Sequence, residues 1–129
     1  MDFQSERSLA SRAVAELRLV RRMPPSAISN SLLRLDGVSG LPPSPFKRPN
    51  DKMDFFVLEL GLHRDVASLC TRTAEALRTH AEFLHQMRAT GAKAALFVES
   101  ALPVVRFEAS FLSILAEAGI ALEYAHENA

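Results

Sequence analysis

Only one cysteine, Cys70, occurs in this chain, so no disulfide can close within it. A reducing cytoplasm is the simplest setting for such a sequence. An excess of either charge is also missing, since Lys+Arg is 15 and Asp+Glu is 15. That balance argues against a dedicated nucleic-acid binder, which carries a basic footprint. No apolar run approaches a membrane span, and Met1–Arg7 is polar with no apolar signal-peptide core behind it. No Gly-x-Gly-x-x-Gly, phosphate-loop, His-Glu-x-x-His, Gly-x-Ser-x-Gly or Cys-x-x-Cys pattern occurs. Several standard enzyme classes are thereby disfavoured, although an enzyme built from scattered residues is not. A zinc site needs three or four converging ligands, and none cluster in sequence. No metal, cofactor or catalytic residue is therefore expected. Internal repeats are absent too.

What is present is enough apolar material for a core. Hydrophobic residues make up 48% of 129 residues, which fits one domain over 1–129. The chain is organised around Asp65–Glu99. At 100° per residue, Val66, Leu69, Cys70, Ala74, Leu77, Ala81, Leu84 and Met87 share one arc, with Ala76 and Phe83 at its edge. Ser68, Thr71, Glu75, Arg78, Glu82 and Gln86 take the other side, which predicts one long helix on a core. Asp65 suits its N-cap and Gly91 its stop. Lys93–Glu99, a short apolar run between charged ends, reads as a strand.

On either side of this segment the pattern is mixed. Residues 1–8 form a polar, frayed tail. Leu9–Val20 alternates and reads as a first strand, with a helix as the competing reading. Pro25–Leu35 reads as a first helix, because Ile28, Leu32 and Leu35 recur at helical spacing behind Pro24-Pro25. Residues 37–52 form a long irregular loop holding four of the seven prolines. Met53–Leu62 reads as a second strand, with Phe56, Leu58 and Leu60 on one face and Phe55, Val57 and Glu59 on the other. Phe111, Leu112, Leu115 and Ala118 mark a third helix closed by Gly119, and Ile120–His126 alternates as the last strand. The predicted architecture is an α+β two-layer sandwich in the order β-α-β-α-β-α-β. Its four-stranded mixed sheet carries three helices on one face.

This arrangement leaves Phe55, Val57 and Phe97 on the uncovered face, ringed by Arg12, Arg18, Lys93, Glu99 and Glu123. Exposed apolar patches of this kind mark partner surfaces. A homodimer or a docked protein is expected there, unless the first helix or the Pro-rich loop folds over it.

The closing run Leu112-Ser-Ile-Leu115-Ala116-Glu-Ala-Gly119-Ile120-Ala-Leu122-Glu-Tyr124, together with the Pro-led helix and long loop, resembles a family of small bacterial domains of unknown function. The resemblance implies a ferredoxin-like sandwich. Some members are suspected immunity-type proteins beside toxins, and no catalytic motif carries over.

Two functional readings follow. The first is a non-enzymatic interaction module, immunity-type or regulatory, acting through the sheet face or through Phe46, Lys47 and Arg48 of the Pro-rich loop. The second is a small-molecule-binding or enzymatic domain, with a pocket between sheet and loop lined by His63, Arg64 or His80. His80 falls inside the apolar arc, which suits a buried acid/base, a ligand, or a core histidine with a hydrogen-bond partner. Cys70 on the same arc reads as a small buried apolar side chain. Arg21-Arg22 with Lys47-Arg48 would suit an anion or an acidic partner. Glu99, Glu108 and Glu123 are the available carboxylates.

Overall fold

The computed structural model describes residues 27–38, 40–50, 52 and 54–127. Its elements are β1 (Ile28–Asp36), β2 (Phe55–Glu59), α1 (Val66–Thr79), α2 (Ala81–Ala89), β3 (Lys93–Ser100), α3 (Ala109–Glu117) and β4 (Ile120–His126). The sheet runs β2-β1-β3-β4, antiparallel except for the parallel β3–β4 pair. Helix α3 supplies the crossover that a parallel pair requires. Leu33, Leu35, Phe56, Leu58, Leu96, Val98 and Ile120 form one core with Leu69, Ala76, Leu77, Leu84, Phe111 and Leu115. All three helices therefore lie on the same face of a mixed four-stranded sheet, an α+β sandwich.

The element order differs from the expected alternation. Pro25–Leu35 is not a helix: Ile28–Asp36 is a strand, and it lies inside the sheet. The predicted strand at Leu9–Val20 lies outside the described residues. Ser31, Leu33 and Leu35 of β1 face the helices, whereas Leu32, Arg34 and Asp36 face away. Ile28 has the wrong parity for the core. A register shift between Ile28 and Asn30 corrects it, and Ile28 is fully buried. Such a shift re-aims a side chain within an otherwise regular ladder. Helical spacing of Ile28, Leu32 and Leu35 thus coexisted with an alternating pattern, and pairing on both sides decided between them.

The long helix is also two helices. Asp65 caps α1 as expected, its carboxylate accepting from the Ser68 N–H at 2.7 Å. At His80 the backbone leaves helical geometry (φ −111°, ψ 20°), yet hydrogen bonds continue through the break. The His80 N–H donates to the Ala76 carbonyl at 3.0 Å, and the Leu84 N–H to the His80 carbonyl at 2.9 Å. A ring from the Pro-rich loop, Phe46, sits between His80 and Phe83 at this point. Gly91 ends α2 at φ +92°, a conformation that side-chain-bearing residues rarely adopt.

The hydroxyls of the buried residues Ser31, Thr73 and Ser100 are each bonded to a backbone carbonyl. The Ser31 hydroxyl donates to the Gly61 carbonyl at 2.7 Å and the Thr73 hydroxyl to Leu69 at 2.8 Å. The Ser100 hydroxyl donates to Ala27 and accepts from the Leu102 N–H. Each bond avoids the penalty of about 1–3 kcal/mol for an unpaired buried group.

Leu96, at the centre of β3, is fully buried. Leu96→Ala is expected to lower unfolding free energy by about 3 kcal/mol, as cavity-forming core truncations do. Urea titration followed by circular dichroism checks this. A loss below about 1 kcal/mol would place Leu96 outside a packed core.

Candidate binding face of the sheet

The strand registers fix which residues share the face away from the helices. Reading across β2, β1, β3 and β4, one row is Val57, Arg34, Ala95 and Ala121. The next is Glu59, Leu32, Phe97 and Glu123. Phe55, Asp36 and Lys93 form the row on one side, and Asn30, Glu99 and Ala125 the row on the other. The middle of the face is therefore apolar apart from Arg34, with carboxylates at both ends of the Leu32–Phe97 row.

Arg34 is the organised charge on this surface. Its Nε donates to Asp36 Oδ1 at 2.9 Å, and its guanidinium carbon lies 4.0 Å from the Phe55 ring centre. With both partners nearly half exposed, the ion pair contributes little stability. It accompanies a guanidinium placed over the ring, a cation–π arrangement.

Residues 47–49 rise beside β2 and turn this face into a hollow of about 570 Å³. Its lining includes Leu32, Arg34, Lys47, Phe55, Val57 and Phe97, with Glu59 and Glu123 at the rim. Phe55, Val57, Phe97, Lys47 and Arg48 are thus brought together, with Phe55, Val57 and Phe97 on the face where they were expected. Of the residues expected to ring this patch, Arg12 and Arg18 lie outside the described residues, as do Arg21 and Arg22.

Phe46 is the exception. It was expected on the surface, but it is 3% exposed and belongs to the core. Its ring centre is 5.1 Å from that of His80 and 5.0 Å from that of Phe83. An extended backbone sends successive side chains to opposite sides. Burying Phe46 therefore leaves Lys47 free to face the hollow.

His63, Arg64 and His80 do not converge. His63 and Arg64 precede α1, while His80 follows it, and fourteen helical residues between them span about 21 Å. A pocket between sheet and loop exists, but these three residues do not line it. His63 instead ties β2's exit to β1, through N–H to carbonyl bonds of 2.9 Å in each direction with Ile28. Burial pushes its imidazole below the ordinary value of 6.5; Arg72 acts in the same direction, while the Leu60 carbonyl and Asp65 oppose it.

A second hollow of about 440 Å³ lies between α1 and α3 and includes Cys70, Arg106, Glu108 and Phe111. Burial, assisted by Glu108, pushes the Cys70 thiol up. That shift disfavours the thiolate, which suits a packing role. Among the described residues, no three His, Cys, Asp or Glu side chains group as metal ligands. No helix among them is long and apolar enough to cross a membrane.

Sequence reasoning missed Leu32, Arg34, Glu59 and Pro49 as lining residues. The signal for the first two was the alternation of 31–36, hidden when that stretch was read as a helix. No family model, curated protein or solved structure matches this chain, so the roles of these residues rest on its own geometry.

The His63 shift has a definite sign. The folded state favours the neutral ring, so His63 contributes stability above its ordinary value and loses it as pH falls through the lowered folded value. His63→Gln is expected to flatten the fall in urea midpoint between about pH 7.5 and about pH 5. Parallel curves for variant and wild type would show that His63 is not the group responsible.

Proposed function

We propose that this chain is a non-enzymatic interaction module, of immunity or regulatory type, whose sheet face turned away from the three helices, open among the described residues, receives a protein partner. The observation that supports this reading is the apolar centre of that face. Leu32, Phe55, Val57 and Phe97 lie together around Arg34, with Lys47 and Glu59 at the β2 edge and Glu123 on β4 at the opposite edge. Apolar anchors inside a charged rim are the usual anatomy of a docking site. A second copy of this chain is one partner of suitable chemistry. The ferredoxin-like label, the kinship with small bacterial domains of unknown function and a cytoplasmic location belong to the same reading. It draws on the Leu112–Tyr124 pattern and the single cysteine.

The alternative, a small-molecule site, draws on the volume of the hollow, about 570 Å³. That falls within the range of roughly 300–1,000 Å³ typical of ligand pockets. Its charges, Arg34 within the face and Lys47, Glu59 and Glu123 at its edges, lie on different strands and the loop, which fits a broad contact better than a catalytic centre.

Phe97→Glu tests the interaction reading. Burying an uncompensated carboxylate against a partner costs about 3 kcal/mol, or roughly a hundredfold in affinity. A partner recovered with the wild type, or self-association seen by light scattering, should therefore be lost in the variant and kept in Glu117→Lys, a control on α3. Circular dichroism establishes that both variants are folded. Undiminished association of Phe97→Glu would remove the sheet face from consideration.

A further inference from the structure

Among the described residues, strand β2 is the last strand on its side of the sheet, and its outer edge is not bare. The Lys47 N–H donates to the Val57 carbonyl, and the Val57 N–H to the Lys47 carbonyl, both at 2.8 Å. This is one rung of an antiparallel ladder, supplied by a loop. Residues 41–49 behave as a strap along the edge. Arg48 folds it onto itself by donating to the Gly40 carbonyl. Beside the rung, Phe46 enters the core between His80 and Phe83. The strap is thus fastened by two backbone bonds and one buried ring, with the Arg48 guanidinium carbon 5.3 Å from the Phe56 ring centre beside them.

We infer that Phe46 is a removable plug, and that seating it keeps the β2 edge closed to a second copy of this chain. Backbone groups on a strand alternate sides. Val57 turns outward to Lys47, so Phe55 and Glu59 turn outward with it, while Phe56 and Leu58 turn to β1. A released edge would offer three consecutive outward positions to another strand, the liability that edge strands carry. The edge is complementary to itself. Two copies of β2 paired antiparallel about Val57 set Val57 against Val57 and Phe55 against Glu59 of the second copy. No like charges are opposed, and cross-strand apolar contacts form on the open face. The same movement withdraws Lys47 and Pro49 from the hollow. A ring buried on the helix side therefore controls a wall on the opposite side of the sheet. This inference does not depend on what docks on the open face.

Amide hydrogen exchange on Phe46→Ala tests it directly. Measured at a dilution where light scattering gives the monomer mass, the Val57 amide should exchange at least tenfold faster than in the wild type, while the Phe56 and Leu58 amides, bonded to β1, stay within about twofold. Light scattering at the highest accessible concentration should give about twice the wild-type mass. Phe46→Leu, which keeps a smaller apolar plug, should fall between the two, and it carries the test if the alanine variant does not fold. Three results would overturn the inference: an unchanged Val57 amide, equal acceleration at Phe56, Val57 and Leu58, or an unchanged mass. Equal acceleration would mean that Phe46 serves only general stability.

Discussion

The antiparallel pairing of β1 on both of its sides is the constraint from which the rest of this structure follows. A helix over 28–35 would bury Ile28, Leu32 and Leu35; the strand buries Ile28, Leu33 and Leu35 and leaves Leu32 half-covered on the open face. The apolar gain is nearly the same either way, at about 1.5–3 kcal/mol per buried side chain. Intrinsic helix propensity distinguishes these residues by less than about 0.7 kcal/mol each. The ladders to β2 and β3 add backbone hydrogen bonds worth roughly 1 kcal/mol apiece. They come with neighbours already in place, so pairing outweighs local preference. Once β1 is a strand between β2 and β3, its alternate residues must divide between the helix layer and the open face. Arg34 and Leu32 become surface residues of the sheet as a direct result.

The strap extends the same logic to the sheet's margin. A Pro-rich stretch has few free N–H groups and little tendency to form regular structure. It can still close an edge if one residue pairs and one neighbour is buried. Lys47 pairs, and Phe46 is buried. The break between α1 and α2 lies where that ring seats, so loop, helix junction and sheet edge share one contact. This is why the loop residues that looked like a surface motif divide into a core ring and a rim cation.

Strand identity was legible where burial is one-sided and the run is short. Lys93–Glu99 and Ile120–His126 were readable as β3 and β4, and the two faces of β2 were readable from Phe55 to Leu60. Asp65 and Gly91 marked their helix ends because capping is local chemistry. Two features were not legible. For Ile28–Asp36, both periods were present and only partners elsewhere in the chain chose between them. The His80 break coincides with the packing of Phe46, thirty-four residues away, and nothing in the helical sequence announces it. The candidate face was half-readable for the same reason. Its Phe55, Val57 and Phe97 lie on strands that were recognised, and its Leu32 and Arg34 on the one that was not.

Cysteine accessibility along β1 tests the central claim most directly. In a background with Cys70→Ala, single cysteines placed at 31 to 36 would be labelled with a thiol reagent in the folded protein. The structure predicts a period of two: fast labelling at 32, 34 and 36 and slow labelling at 31, 33 and 35. Protection recurring every third or fourth position would mean that this segment is a helix, and the face described above would not exist.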